Sequence, residues 1–369
     1  MKVLSKVLAI VACVAMGASA CVMSPTATGP VGLATKNVTT FAGQAGAIGS
    51  ADGTGTAAAF WFPAGGIFIS TTLYVCDSAN STIRAISNTG VVTTIAGVAG
   101  FAGYFDNSGT GIATSYFNHP EGIATDGSSL YVADSGNNVI RKIATPGVNT
   151  SVVSTLAGNL NGFPGSSNGT GGAASFNNPL GITYNGTDLF VADSGNSTIR
   201  QVTTAGVVTP IAGQAGVFGS TDGTGTGALF TYPQGIVSVG ATNLYVADTW
   251  NCTIRLVTTA GVVTTIAGQA GVKGDVDSTT GTSANFNWPE GIATDGTNLY
   301  VADTLNSAIR LVVIAFPNAV STYAGQGEVA GSADGTGNVA TFNHPMRVVV
   351  NGTSLYVADT YNETIRKIP

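Results

Sequence analysis

The stretch LYVADSGNNVIRKI, Leu130 to Ile143, places an aspartate, Asp134, seven residues before an arginine, Arg141, with Asn137 between them. Such a trio can be a charged catalytic site or the glue of a fold, and the chain carries its own control. The phrase returns as LYVCDSANSTIRAI, LFVADSGNSTIRQV, LYVADTWNCTIRLV, LYVADTLNSAIRLV and LYVADTYNETIRKI. Its aspartates, Asp77, Asp134, Asp193, Asp248, Asp303 and Asp359, stand 57, 59, 55, 55 and 56 residues apart. An active site is needed once, whereas a structural unit is needed in every repeat. The pairs are Asp77 with Arg84, Asp134 with Arg141, Asp193 with Arg200, Asp248 with Arg255, Asp303 with Arg310, and Asp359 with Arg366. All six are therefore expected to be structural, holding a hairpin or bridging neighbouring units.

Each repeat reads as four strands. The second supplies GIAT (122–125), LYVAD (130–134), VIRKI (139–143) and SVVSTLAG (151–158), joined by the Gly-, Asn- and Pro-rich turns DGSS, SGNN and TPGVN. LYVAD is apolar on both faces, as a sheet covered on both sides requires. Four short strands at a fixed period are the signature of a β-propeller blade. The blade count follows from the ends. VTTFAG (38–43) precedes every other repeat element, and the chain stops at TIRKIP without a following copy. The N-terminal strand is thus expected to complete the last blade, giving an all-β, six-bladed ring without an open edge. In the hairpin, Asp134 should pair with Val139, putting Arg141 diagonally across on the same face. Asn137 is expected to take the left-handed turn position.

Composition agrees. Glycine is 51 of 369 residues and charged residues are only 9%, which suits short strands and tight turns. The net charge of −6 argues against nucleic acid or anionic lipid as a partner. Lys2 and Lys6 precede the apolar run VLAIVACVAMGASA, which reads as a signal peptide over residues 1–20. ASAC supports either ordinary cleavage or a bacterial lipobox. Lipidation of Cys21 is preferred, with residues 21–36 as a flexible tether and 37–369 as the propeller. That places the protein in a bacterial cell envelope, on the outer membrane, or otherwise secreted or periplasmic. After residue 20 no apolar run approaches a spanning helix. In a eukaryotic host, nine N-x-S/T sequons, beginning at Asn37, would matter instead. Cys76 and Cys252 fall in the first and fourth repeats, so no disulfide is expected between them, and no Cys/His zinc spacing exists.

The phrase LYVAD…N..IR with the preceding F..P.GIA.D resembles the NHL repeat, over residues 37–369. The resemblance implies a propeller without fixing one activity, since members include binding modules and a few enzymes. Amidating lyases of this repeat family use zinc-binding histidines, some just after the repeated proline. Here those places hold Ala64, Glu121, Leu180, Gln234, Glu290 and Met346, and the chain has only two histidines. Streptogramin lyases are propellers with another blade number. Calcium-dependent lactonases line the channel with acidic and amide ligands, a pattern to which Glu121, Glu290 and Asn178 bear a weak similarity.

On the face carrying the long connections, a variable pair flanks each proline: Phe62/Ala64, His119/Glu121, Asn178/Leu180, Tyr232/Gln234, Trp288/Glu290 and His344/Met346. His119, Glu121, Tyr232, Trp288, Glu290 and His344 are the candidate ligand-binding residues of the channel mouth. The plainer reading is that they plug or solvate it. No cofactor is required, with a divalent cation such as calcium as the alternative. DVDSTTGTS (275–283) is a poor calcium loop, having no glycine at its sixth position. GTGTG (223–227) lacks the helix and lysine of a phosphate site, so the recurrent DGTGT motif is expected to form turns. Hairpin tips are small in the first three repeats (Ala79, Gly136, Gly195) and bulky in the last three: Trp250, Leu305 and Tyr361. The bulky tips form a candidate interaction patch; packing on neighbouring loops is the competing reading. The expected function is a non-enzymatic binding module recognising a protein or glycan on the long-loop face. The alternative is a cation-dependent hydrolase or lyase at the mouth.

Overall fold

The computed structural model describes residues 36–107, 115–146 and 152–369, together with the backbone of Val22–Met23. Blade two shows the plan, with strands Pro120–Thr125, Ser129–Asp134, Val139–Ala144 and Val152–Ala157 running antiparallel from axis to rim. The six innermost strands begin at Pro63, Pro120, Pro179, Pro233, Pro289 and Pro345. They touch in chain order, and the sixth touches the first. Strand Asn37–Ala42 pairs antiparallel with Thr364–Ile368, with Thr40 opposite Arg366. The first strand thus completes the last blade, as its position in the sequence predicted. Helical structure among the described residues is confined to single 3₁₀ turns, and no helix is long and apolar enough to cross a membrane.

The core lies between blades, in six clusters, one per seam. LYVAD is apolar on both faces because each face packs on a different neighbour. Tyr131 and Ala133 meet blade three, whereas Leu130 and Val132 meet blade one. All four are fully buried, each large side chain contributing about 1.5–3 kcal/mol of transfer free energy.

Two expectations need correction. Four blades carry a fifth strand at the rim: Gly53–Thr54, Gly169–Thr170, Gly223–Thr224 and Gly335–Thr336. The glycine-rich loops double back to cover the outer edge before entering the axis, so DGTGT is part edge strand and only part turn. The left-handed residue of the hairpin is Asn138 (φ 57°), with Ser81, Ser197, Cys252, Ser307 and Glu363 as its counterparts. Asn137 is held in place instead by its side chain, whose Nδ2 donates to Asp134 and to the Gly103 carbonyl.

Residues 1–21 and 24–35, including Cys21 and nearly all of the expected tether, lie outside the described residues. Within that span, the backbone of Val22–Met23 pairs in parallel with Val272–Lys273.

Candidate functional site

The repeated charged trio is a buried, hydrogen-bonded unit. Asp134 pairs with Val139 in register, and its Oδ2 accepts Arg141 Nη1 at 2.9 Å and Asn137 Nδ2 at 2.8 Å. Oδ1 accepts the Asn118 amide at 2.8 Å, fixing the loop that enters the axis. The second Arg141 nitrogen donates to Asp106 at 2.7 Å and to the Phe105 carbonyl at 2.9 Å. The guanidinium lies over the Phe117 ring, 5.0 Å from its centroid.

The same set recurs in every blade. In blade four, Arg255 donates through Nη1 to Asp248 and through Nη2 to Asp222, both at 2.7 Å. Arg255 is fully buried, and its guanidinium lies over the Phe230 ring. Arg84, Arg200, Arg310 and Arg366 bind Asp77, Asp193, Asp303 and Asp359 in the same way. The second acceptors are Asp52, Asp106, Asp222, Asp277 and Asp334, with Asn168 in blade three. Except for Asn168, these residues also accept the amide and hydroxyl of an outer-strand threonine, for example Thr94 on Asp52. One arginine therefore ties hairpin, entering loop and rim together. Burial pushes the six hairpin carboxyls up to about 6, against the pull of the arginine and the amide donors.

These second carboxylates were missed in the sequence. Their signal was the acid or amide recurring 32–35 residues before each arginine, within loops of dissimilar sequence. Asp277, within the poor calcium loop, is Arg310's ion-pair partner at 2.7 Å.

Of the two expected roles, the Asp/Arg pairs hold the hairpin within a blade; bridging neighbouring blades falls to the next residue. Ser135, Ser194, Thr249, Thr304 and Thr360 donate their hydroxyls to the carbonyls of Pro179, Pro233, Pro289, Pro345 and Pro63 in the following blade. In blade one, Ser78 takes the Glu121 carboxylate instead, at 2.9 Å. Glu121 is thereby committed to the seam between blades one and two, and is buried there.

The channel mouth is built by a left-handed kink. Phe62, His119, Asn178, Tyr232, Trp288 and His344 all have φ between 49° and 56°, a conformation costly for bulky side chains. Part of that cost is offset by capping from the preceding blade. Glu363 accepts the Phe62 amide, Asn138 that of Asn178, and Ser197 that of Tyr232.

His119 and His344 place Nδ1 2.9 Å from Oδ1 of Asn118 and Asn343, respectively. Burial lowers the His344 pKa. His119 and Glu121 belong to blade two, Glu290 to blade five and His344 to blade six. Among the described residues no three His, Cys, Asp or Glu side chains gather as a metal ion would require. The histidines and acids expected at the mouth are therefore not drawn into one ion site.

Its aromatic residues are brought together. Tyr232 stacks on Trp250 at 4.3 Å, and Trp250 on Trp288 at 5.8 Å. Phe218 of the long loop extends the stack beyond Tyr232 at 6.0 Å, and Lys273 Nζ closes the other end, 5.7 Å from Trp288. Tyr361 takes the corresponding position at the seam between blades six and one, edge-on to His344 at 4.5 Å and to Phe62 at 4.9 Å. A bulky tip thus lies between the kinked residue of its own blade and that of the next. Leu305 occupies the corresponding tip in blade five. Phe218 is 55% exposed and Tyr361 39%.

The chain is 31% identical over 288 residues to human "NHL repeat-containing protein 2", a match covering 68% of this chain and 39% of that protein. It thus spans about two fifths of that relative's length. No family model matches the chain. Among solved structures, a structural-genomics protein of unknown function from Bacteroides thetaiotaomicron superposes with a TM-score of 0.69 at 22% identity, covering 90% of this chain and 75% of that one. An "auxiliary nutrient binding protein" from the same organism gives 0.65 at 18%, covering 90% and 76%. At these identities the structures speak to the fold. With the sixfold phrase, the closed ring and this similarity together, the chain belongs to the NHL-repeat β-propellers.

Proposed function

We propose that the propeller is a non-enzymatic binding module whose recognition surface is the aromatic arc of the long-loop face, from Phe218 through Tyr232, Trp250 and Trp288 to Leu305, Tyr361 and Phe62. The observation that supports this most is the Tyr232–Trp250–Trp288 stack, which gathers three large aromatic side chains from two neighbouring blades on one sector of the long-loop face. Large aromatic groups dominate binding hot spots. Between protein and glycan, the stack favours a protein. A sugar packs on an open ring face, and within this stack the ring faces cover one another. An anchor at Cys21, downstream of a signal segment, would hold this face at a bacterial envelope; Cys21→Ser would then release the protein from the membrane fraction.

The test is capture of partners from host-cell extract by the wild type and by Trp250→Ala/Tyr361→Ala. Loss of one hot spot costs about 2 kcal/mol or more, roughly thirtyfold in affinity. The double variant should lose the captured partner while keeping the wild-type melting temperature. Equal capture would remove the arc from the binding surface, and loss of folding would assign both tips to packing.

A further inference from the structure

Five of the six seams between innermost strands are closed the same way. A glycine of one blade lies so near the next that an added Cβ would meet a backbone carbonyl. A Cβ on Gly65 would stand 2.3 Å from the Glu121 oxygen, one on Gly122 2.2 Å from that of Leu180, and one on Gly181 2.1 Å from that of Gln234. On Gly235 and Gly291 it would stand 2.1 and 2.5 Å from the Glu290 and Met346 oxygens. At the sixth seam, between blades six and one, the glycine is replaced by Arg347, opposite Ala358 in the sheet. Room comes from blade one, whose inner strand reads PAGG where blade two has PEG.

Arg347 is only 7% exposed, and both terminal nitrogens, Nη1 and Nη2, are buried without a hydrogen-bond partner. The chain's six other arginines each make four hydrogen bonds through these same atoms, as Arg84 does. Burying a guanidinium without hydrogen-bond partners for its terminal nitrogens costs several kcal/mol. Beside it is a small cavity whose other walls are apolar, formed by Ala64, Gly66, Val75, Val349 and Tyr356.

We propose that this seam is an anion site, in which Arg347 receives one small, weakly hydrated monovalent anion of the chloride class. A multivalent oxyanion would need further donors that the apolar walls do not supply. A halide needs only the paired N–H groups of the fork and tolerates apolar neighbours. Because the site joins the last blade to the first, its occupancy would stabilise ring closure in proportion to the logarithm of anion concentration.

Sodium bromide is the probe. Crystals of the wild-type protein soaked in bromide should show an anomalous peak in contact with Nη1 and Nη2; an ordered water alone, or an empty cavity, would overturn the proposal. In solution, Arg347→Met removes the charge while keeping the volume. In halide-free buffer it should melt above the wild type, and bromide should close that gap by several degrees in a saturable way. An identical bromide response from both proteins would also overturn it. If the variant does not fold, the anomalous peak in the wild type decides.

Discussion

Asn168 and Pro210 occupy in blade three the places that Asp52 and Thr94 occupy in blade one, and the two replacements belong together. Asp52 accepts three partners: Arg84, the Thr94 amide and the Thr94 hydroxyl. Pro210 has neither N–H nor hydroxyl to offer, so a carboxylate there would keep only the arginine. An amide oxygen meets that single demand, and Asn168 Oδ1 accepts Arg200 Nη2 at 2.7 Å. Restoring both residues with Asn168→Asp/Pro210→Thr should stabilise the protein by more than the sum of the single changes. The coupling should be about 1 kcal/mol, the scale of one hydrogen bond. A double-mutant cycle from chemical denaturation measures it; strict additivity would mean that the two sites do not communicate.

Arg200→Ala removes the knot of blade three and leaves Asp193 buried without its cation. Breaking such a pair costs about 3–5 kcal/mol, so the melting temperature should fall by many degrees. Partner capture below the new transition should stay intact, because the arginine is buried away from the aromatic arc. An unchanged melting temperature would deny the pair its structural role.

Glu363 gives the ring closure a pH dependence. Burial, reinforced by Asp77, raises its carboxyl from an ordinary 4.5 to about 7, against the Phe62 amide it accepts. Between those values the folded protein holds a proton that the unfolded chain has released. The resulting stability is fully present below about 4.5 and is lost as the pH rises through 7. The hairpin aspartates have the same sign but titrate near 6, and His344, whose pKa burial lowers, acts with the opposite sign. The Glu363 contribution is therefore read from 6.5 to 8 as the difference between the wild-type and Glu363→Gln profiles. The wild type should lose stability across that interval. Glu363→Gln, which still accepts the amide through its carbonyl, should flatten the profile; equal slopes would exclude this carboxyl as the cause.

The fold was legible because each level repeats the same message six times. Strand period, turn residues and the VTTFAG fragment stranded at the start lead to one closed ring. The edge strands were not legible, since their pairing depends on a loop turning back to the rim, and Gly-Thr carries no strand signal of its own. The blade-to-blade bonds of Ser135 and Thr249 were hidden for another reason. Their acceptors are proline carbonyls 40 or more residues away, where side-chain type is no guide. At the mouth, the kinked residues and hairpin tips could be aligned by repeat, so Tyr232, Trp250 and Trp288 were visible as a group. Phe218 was not, because its place in the stack is set by the path of a long glycine-rich loop. The acids and histidines were legible as residue types but not as a site: Glu121 turns into a seam, and the two histidines sit beside neighbouring asparagines.

The most direct test of the account is site-specific photocrosslinking on the intact propeller. A benzophenone side chain in place of exposed Phe218, at the open end of the stack, reports on the long-loop face. The same group in place of Thr187, in a short turn at the opposite end of blade three's strands, reports on the other face. Irradiated in host-cell extract, the protein labelled at 218 should yield a discrete adduct that disappears when Trp250→Ala is added, and the protein labelled at 187 should yield none. An adduct formed only from position 187, or one from 218 that persists without Trp250, would contradict recognition through the aromatic arc.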